Sequence, residues 1–182
     1  MNNQYLPTPK EIKEKFPLSK DNIFFIKESR NIAKDISSKK SKKKVIFAGP
    51  CSIHNYDQII DYAKKLKQIN CKNIFLVMRC YYEKPRTKTG WKGFLYDPNL
   101  DNSNDIEKGI MLTRELLIEL TNLKIPIATE LLDPNLSNYF DDLITWGFIG
   151  ARTVSSQIHR QLISCYDFPI GLKNNIDGNV DT

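Results

Sequence analysis

The sequence lacks any apolar run approaching the ~20 residues that a membrane-spanning helix needs. We therefore expect no membrane partner. The first residues, MNNQYLPTPKEIKEKFPLSK, contain neither an apolar core nor a small-residue cleavage site, so they do not form a secretory signal. These two absences together predict a cytoplasmic protein.

Closely spaced cysteines are also absent. The four cysteines, Cys51, Cys71, Cys80 and Cys165, include no CxxC pair. This spacing argues against a zinc cluster and against the disulfide framework of a small secreted protein. Most of the cysteines are expected to be buried and to pack as small hydrophobic residues.

Nucleotide-binding glycine motifs are missing as well. No GxGxxG follows the first predicted strand and no Walker sequence occurs, which disfavours a nucleotide-binding doubly wound sheet. What the chain does have is a net charge of +6, which suits anionic partners. The cluster SSKKSKKK at 37–44 has no interleaved aromatic residues, so we expect a solvated linker rather than a nucleic-acid-binding patch.

Residues 1–44 differ from the rest and are predicted to form an N-terminal helical extension. Thr8 to Glu11 has the form of a capping box with proline at the first helical position, and Pro17 should end this short helix. A second helix is predicted from about Ser19 to Ile36, with an irregular apolar stripe of Ile23, Ile26, Ile32, Ala33 and Ile36. The extension is expected to pack on a neighbour rather than to carry chemistry.

From residue 45 onward, short apolar runs alternate with segments of helical periodicity. Strands are predicted at 45–48, 74–79, 126–130, 147–152 and 169–173. Helices are predicted around 59–69, near 104–122 with a capping box at Asn104 and Glu107, after Asp133-Pro134, and through 155–164. Apolar strands alternating with helices indicate an α/β protein whose parallel sheet is covered on both faces.

A sulfur or charged side chain stands at or just beyond the end of each predicted strand. These side chains are Cys51, Arg79, Glu130, Arg152 and Lys173. A (β/α)₈ barrel places its active site at the carboxyl ends of its strands. Strand ends often meet solvent by chance, but five successive cases favour one shared site.

The stretch YYEKPRTKTGWKG at 81–93 places several cations directly after a buried strand. Phosphate dianions are held where charge-assisted hydrogen bonds converge. The segment 84–87 offers a lysine, a rigid turn residue, a guanidinium group and a hydroxyl donor. Arg79, Arg152 and Lys173 could bind a second anion that carries carboxylate and phosphate groups. The residues thus predict a pocket for two anionic substrates; the alternative for the loop alone is a mobile basic surface segment.

Four segments carry a specific resemblance: GPCSIH (49–54), MRCYYEKPRTKTGWKGFLYDPNLDNS (78–103), GFIGARTVSSQIHRQLIS (147–164) and PIGLKNNIDG (169–178). In order and spacing they resemble the type I 3-deoxy-D-arabino-heptulosonate 7-phosphate (DAHP) synthases, the aromatic-amino-acid-regulated microbial enzymes that open the shikimate pathway. The resemblance implies a transferase that condenses phosphoenolpyruvate with erythrose 4-phosphate and releases phosphate. It also implies a (β/α)₈ (TIM) barrel and a divalent metal ion.

The resemblance assigns roles to particular residues. It implies that Cys51 is a metal ligand and that Lys84, Arg152 and Lys173 are catalytic. The implied erythrose 4-phosphate site is Lys84, Pro85, Arg86 and Thr87. The implied phosphoenolpyruvate site is Arg79, Glu130, Gly150, Ala151, Arg152 and Lys173.

The family's barrel continues beyond the last residue of this sequence. About five βα units are recognisable, so we expect an incomplete barrel over 45–182, preceded by the extension. The family's other metal ligands come from later strands, and neither His54 nor His159 is expected to replace them. Metal binding by this chain alone is therefore doubtful, because one thiolate cannot hold an ion that needs four or more partners.

Two hypotheses follow for the activity of the chain. It has the residues of a DAHP synthase but is expected to be inactive, or nearly so, by itself. Alternatively, it is a non-catalytic interaction module or a decayed remnant that pairs with or regulates a full-length synthase. An unrelated phosphate-binding barrel is disfavoured by the KPRT, GAR and LK order.

The resemblance also implies a homo-oligomer, built partly through the extension, and an aromatic amino acid effector. The family usually has proline where Ser137 stands, in the region that shapes the effector pocket. Sensitivity to phenylalanine, sensitivity to tyrosine and the absence of inhibition all stay open.

Overall fold

The computed structural model describes residues 5–180 and places five strands in one parallel sheet. The spatial order of the strands equals their chain order, and each neighbouring pair is parallel. The strands are β1 (Lys44–Ala48), β2 (Ile74–Arg79), β3 (Ile127–Glu130), β4 (Trp146–Ile149) and β5 (Ile170–Leu172). This order, with each connection crossing over the sheet, is that of half a (β/α)₈ barrel. The predicted α/β class and the incomplete barrel are confirmed.

Five α-helices accompany the strands in the described part of the chain. They are α1 (Pro9–Lys15), α2 (Lys20–Ser37), α3 (Tyr56–Lys67), α4 (Ile106–Asn122) and α5 (Gln157–Ile163). No helix within residues 5–180 has the length and hydropathy needed to cross a membrane.

Helices pack on both faces of the sheet, because successive strand side chains point to opposite sides. Met78, Ile127 and Ile149 lie in one core cluster with apolar residues of α3 and α4. On the other face, Val77 and its neighbours on adjacent strands pack against Ala33 of α2. The N-terminal helix α2 therefore covers the face of the sheet that α3 and α4 leave open.

Both helix starts predicted for the extension are confirmed. The Glu11 amide donates to Thr8 Oγ1 at 3.3 Å, and the Thr8 amide donates to Glu11 Oε2 at 2.7 Å, completing the capping box. Ser19 caps α2 by accepting from the amide of Asn22 at 3.1 Å. The extension packs on the rest of its own chain, and its boundary at residue 44 stays a prediction.

The apolar stripe predicted for α2 is only partly right. Ile26 and Ala33 are buried, but the Ile23 side chain is 54% exposed. Asn22 occupies the buried position instead, and its amide donates to the side chain of Asn122 at 2.6 Å. A polar residue satisfied by a partner on another helix cannot be recognised from periodicity alone.

Arg114 of α4 anchors the extension to the sheet domain. Its side chain is 1% exposed and donates to the carbonyl of Phe16 at 3.1 Å and to that of Tyr139 at 2.9 Å. Its two terminal nitrogens also bind both carboxylate oxygens of Asp142 at 2.8 Å. One buried guanidinium group thus joins the end of α1, helix α4 and the segment that follows β3.

The helix predicted after Asp133-Pro134 is wrong. The structure has two short 3₁₀ turns there, Ser137–Tyr139 and Asp141–Leu143. Asp133 accepts from the backbone and side chain of Asn135, and this local hydrogen bonding competes with a helical ladder.

Two boundary predictions also need correction. The N-cap of α4 is Asp105 rather than Asn104, because Asp105 Oδ1 accepts from the Lys108 amide at 3.1 Å. Strand β4 ends at Ile149, and the following Gly150 to Ser155 forms turns instead of continuing the strand.

The expectation that most cysteines are buried is wrong. Cys80 is buried, whereas Cys51, Cys71 and Cys165 are exposed and all four are free thiols. The lysine cluster between α2 and β1 is solvent-exposed, as predicted for a linker.

Candidate active site

The side chains predicted from the strand ends lie at one edge of the sheet. Arg79 and Glu130 are the last residues of β2 and β3, and Lys173 follows β5 directly. Cys51 and Arg152 lie three residues beyond β1 and β4. Because all five strands are parallel, their carboxyl ends lie at the same edge of the sheet. The five side chains therefore lie near a common surface.

Two of these cations, from strands far apart in the sheet, share one aromatic ring. The Arg79 guanidinium lies 4.6 Å from the ring centroid of Tyr81, and Lys173 Nζ lies 5.4 Å from the same centroid. Both distances fit cation–π contacts. Arg79 Nε is buried and has no hydrogen-bond partner among the described residues. Tyr81 thus joins Arg79 and Lys173 in one basic cluster, a role that the repeated tyrosines of the sequence did not indicate.

Glu130 is held between Lys173 and Gly150. Lys173 Nζ lies 3.1 Å from Glu130 Oε2, and the Glu130 side chain is 11% exposed. A Cβ atom built on Gly150 would lie 2.1 Å from Glu130 Oε1. Only glycine lets the backbone after β4 approach the carboxylate this closely, which explains the residue type at position 150. Glu130 therefore contacts two other residues of the predicted phosphoenolpyruvate site, Lys173 and Gly150.

The predicted metal ligand Cys51 lies beside Lys84. Lys84 Nζ is 3.2 Å from the Cys51 sulfur and 3.3 Å from its carbonyl oxygen. The hydrogen bond from Lys84 is the main cause of a lowered pKa for the Cys51 thiol, and the charges of Lys84, Arg79 and Arg86 add to it. Thiolate character at an exposed cysteine follows from this positive surrounding.

The loop formed by residues 81–93, called the basic loop below, borders an open cavity of about 610 Å³. The cavity is lined by the segment 84–89, Lys92, Tyr96, Leu132, Arg152 and Thr153. Arg152 therefore lines the same cavity as the predicted erythrose 4-phosphate segment. Lys92, Tyr96 and Thr153 were not predicted as site residues. The lysines of the loop gave a signal for Lys92, whereas nothing in the sequence indicated Tyr96 or Thr153.

Backbone hydrogen bonds hold the two limbs of this loop together at its base. The Lys84 amide donates to the Lys92 carbonyl at 2.8 Å, and the Leu95 amide donates to the Tyr82 carbonyl at 3.0 Å. Gly93, at φ +111°, allows the two limbs to meet, because a Cβ there would lie 2.4 Å from the Tyr82 oxygen. The loop is anchored at its base, while Arg86 to Gly90 are exposed at its tip.

The described residues do not complete a metal site. Within residues 5–180, no group of three His, Cys, Asp or Glu side chains is placed to hold an ion. The two ring nitrogens of His159 lie 2.9 Å from Ser156 Oγ and 2.8 Å from the Leu132 carbonyl, so both are engaged. His54 is exposed and belongs to no such group. The role of Cys51 as a metal ligand stays a prediction.

Comparison with known proteins identifies the family. Residues 15–182 match the DAHP synthetase I family. The chain belongs to this family. It is 44% identical over 182 aligned residues to the Tyr-sensitive phospho-2-dehydro-3-deoxyheptonate aldolase of Salmonella typhimurium strain LT2, covering 98% of this chain and 51% of that relative. The Trp-sensitive enzyme of Salmonella typhi is 40% identical over 177 residues, covering 96% of this chain and 51% of the relative.

A solved DAHP synthetase relative has the same fold. The structure of phospho-2-dehydro-3-deoxyheptonate aldolase from Francisella tularensis SCHU S4 superposes with a TM-score of 0.91 at 45% sequence identity. The match covers 94% of this chain and 51% of that chain. The chain thus spans about half the length of the relatives it matches. Because the relatives include Tyr-sensitive and Trp-sensitive proteins, similarity does not select one effector for this chain.

Proposed function

We propose that this chain supplies the anion-binding side of a DAHP synthase active site, in which phosphoenolpyruvate condenses with erythrose 4-phosphate and phosphate is released. The observation that carries the proposal is the convergence of Arg79, Lys173 and Lys84 at the carboxyl ends of the strands. Two phosphorylated substrates need several fixed cations in one place, because the substrates repel each other. Membership of the DAHP synthetase I family supports the same reading.

Phosphoenolpyruvate is assigned to the cluster around Tyr81. Arg79 Nε is buried and has no hydrogen-bond partner within residues 5–180, and the Tyr81 ring lies against the Arg79 guanidinium group. Lys173, oriented by its ion pair with Glu130, supplies the second cation. The backbone of Gly150 borders this cluster, because Gly150 packs on Glu130, and Ala151 is assigned to the same site as the next residue of the chain.

Erythrose 4-phosphate is assigned to the cavity under the basic loop. Lys84, Arg86 and Thr87 line it, with Pro85 stiffening the segment. Lys84 also contacts Cys51, so its ammonium group lies between the loop cavity and the strand ends. This position suits a group that touches both substrates.

The chemistry follows from the charges. The C3 carbon of phosphoenolpyruvate attacks the C1 aldehyde carbon of erythrose 4-phosphate, forming a C–C bond, and the aldehyde oxygen takes up a proton. Lys84 is assigned to hydrogen-bond that oxygen as negative charge develops on it. Water adds to the cationic C2 carbon and loses two protons, one of which balances the proton taken up by the aldehyde oxygen. Cleavage of the bond between C2 and the phosphate oxygen then leaves C2 as a ketone and releases phosphate, which carries away the other proton. Arg79, Arg152 and Lys173 offset the crowding of negative charge.

The proposal is tested by titrating the purified chain with each substrate in a calorimeter. We expect phosphoenolpyruvate to bind the wild type and to bind R79M and K173M at least about tenfold more weakly, since each loses a charge-assisted contact. The matched control is K39M, which removes an exposed lysine from the linker. Equal binding by wild type and R79M, or no binding at all, would contradict the assignment.

The alternative function, an interaction module, has one supporting observation. The outer strands of the described sheet expose apolar side chains, with Ile46 of β1 43% exposed and Leu172 of β5 51% exposed. Outer strands of this kind favour pairing with another chain. Mixing the chain with a full-length member of the family, followed by size-exclusion chromatography and an activity assay, tests this alternative. Co-elution with changed activity would support it, and separate elution with unchanged activity would exclude it.

A further inference from the structure

Glu83 lies immediately before Lys84, yet it is buried. Its relative exposure is 4%, whereas residues 84–92 are partly exposed or exposed. One of its carboxylate oxygens, Oε1, is buried and has no hydrogen-bond partner among the described residues. An ionised carboxylate with an unsatisfied buried oxygen is costly, so the uncharged acid is the form that suits this position.

The surroundings of Glu83 come from three segments. Tyr82 and Lys84 of the outgoing limb flank it, and both are hydrogen-bonded through their backbones to the returning limb. Gly93 of that limb packs directly on it, since a Cβ built on Gly93 would lie 2.7 Å from Glu83 Cα. The backbone amides of Leu132 and Asp133, in the loop after β3, face the Glu83 carboxyl group. Glu83 therefore lies where the basic loop meets the loop after β3.

The groups facing the carboxyl are acidic or uncharged. Asp133 lies in the loop after β3, Glu130 ends that strand, and the phenol rings of Tyr82 and Tyr96 belong to the two limbs. The Tyr96 hydroxyl donates to Asp133 Oδ2 at 2.8 Å, and this hydrogen bond fixes the Asp133 carboxylate near Glu83. Burial and, after it, the charges of Asp133 and Glu130 raise the pKa of Glu83 to about 8, outweighing the amides of Asp133 and Leu132, which favour the ionised form.

We propose that Glu83 is a positioning residue, which in its protonated form holds the Lys84–Thr87 segment against the loop after β3 and so keeps the basic cavity formed. Loss of its proton creates a buried anion beside Asp133 and Glu130. Separation of the base of the loop from the loop after β3 hydrates this anion and moves it away from Asp133 and Glu130. This gain exceeds the loss of the Leu132 and Asp133 amides, because burial and the two carboxylates outweigh those amides at the closed site. Ionisation of Glu83 therefore weakens anion binding in the cavity. This inference rests on the proposed function in one respect: it takes the cavity to bind phosphate-like anions.

The test is sulfate binding by the full 182-residue chain between pH 6 and pH 9. Sulfate is chosen because it keeps two negative charges over this range, so its own ionisation does not contribute. Every protein also has Cys51→Ser, since the nearby thiol ionises too. The comparison is between this reference, Glu83→Gln, and the control Glu28→Gln, which changes an exposed carboxylate on α2.

The sign of the effect follows from linkage. If binding requires protonated Glu83, affinity is full below a pH of about 8 and falls above it, by about tenfold at one pH unit higher. We expect the reference and Glu28→Gln to show this fall. Glu83→Gln should bind within about twofold of the reference at pH 6 and 7 and should lack the fall, because glutamine keeps the shape of the uncharged acid. A fall that persists in Glu83→Gln, or a Glu83→Gln affinity tenfold lower at pH 7, would overturn the proposal.

Hydrogen exchange separates this inference from the proposed function. We expect amides of residues 80–95 to exchange faster above pH 8, after correction for intrinsic rates, in the reference but not in Glu83→Gln. If sulfate bound at no pH, the proposed function would be refuted while this exchange difference would still support the role of Glu83 in holding the loop. Equal exchange in both proteins would overturn that role, and circular dichroism confirms that each variant is folded.

Discussion

The ammonium group of Lys84 lies 3.2 Å from the sulfur of Cys51, although the two residues are 33 positions apart. This contact joins the loop after β2 to the loop after β1 at the edge where the site is assembled. It also gives the thiol its lowered pKa. The contact therefore connects the predicted metal ligand with the predicted catalytic lysine before any substrate is present.

Replacing Lys84 by methionine should raise the pKa of the Cys51 thiol, because the hydrogen bond and the positive charge that favour the thiolate are both removed. At pH 7 less of the thiol is then ionised, so alkylation of Cys51 by iodoacetamide should slow. Peptide mass spectrometry measures the rate against pH, with exposed Cys71 in the same protein as reference. An unchanged Cys51 rate in K84M would show that Lys84 does not govern this thiol.

Replacing Arg86 by alanine should mainly weaken erythrose 4-phosphate binding. Loss of one charge-assisted phosphate contact costs on the order of 1.5–3 kcal/mol, or about ten- to hundredfold in affinity. Calorimetric titration of wild type, R86A and the linker control K39A measures the change. If R86A lost only phosphoenolpyruvate affinity, the division of the site between the two substrates would be wrong.

Introducing alanine at Gly150 should displace the Glu130 carboxylate, because the new Cβ would lie 2.1 Å from Oε1. The ion pair with Lys173 is then broken, and phosphoenolpyruvate binding should fall at least about tenfold. A double-mutant cycle with E130A tests whether the clash with Glu130 is the cause, because in E130A the new methyl group no longer clashes with a carboxylate. Equal effects of G150A in both backgrounds would argue that the glycine acts through some other contact.

Replacing Arg114 by alanine should destabilise the fold strongly. The variant leaves two carbonyl groups and the partly exposed Asp142 carboxylate without their partner, which costs on the order of 2–4 kcal/mol. Urea denaturation monitored by circular dichroism measures the free energy of unfolding. The surface pair of Lys65 and Asp61 is the control, and D61N should change stability by no more than about 0.5 kcal/mol. A comparable loss in both variants would contradict the anchoring role of Arg114.

The parallel sheet could be predicted because apolar runs of strand length alternate with helical periodicity. Once the strands are parallel, the convergence of Arg79, Glu130 and Lys173 at one edge follows from topology. The 3₁₀ turns after β3 could not be predicted in the same way. Leu136, Tyr139 and Phe140 are buried there by contacts with distant elements, and their spacing imitates a helix.

The candidate site also has features that the sequence predicted and features that it did not. The basic composition of 84–92 indicated an anion site, since no packing is needed to recognise a cluster of cations. The shared ring of Tyr81 and the buried carboxyl of Glu83 were not recognisable. Both depend on which side chains the fold turns inward, and adjacent tyrosine and glutamate residues in a loop give no periodic signal.

Sequence alone therefore determined the parallel α/β class, the family and the end of the sheet where the chemistry belongs, because residue type and spacing along one chain carry that information. Tertiary structure decided which groups touch: Lys84 with Cys51, Lys173 with Glu130, and Glu83 with the loop after β3. Such contacts join residues tens of positions apart. Their distances and burial, and hence their charge states, exist only once the strands and loops have packed.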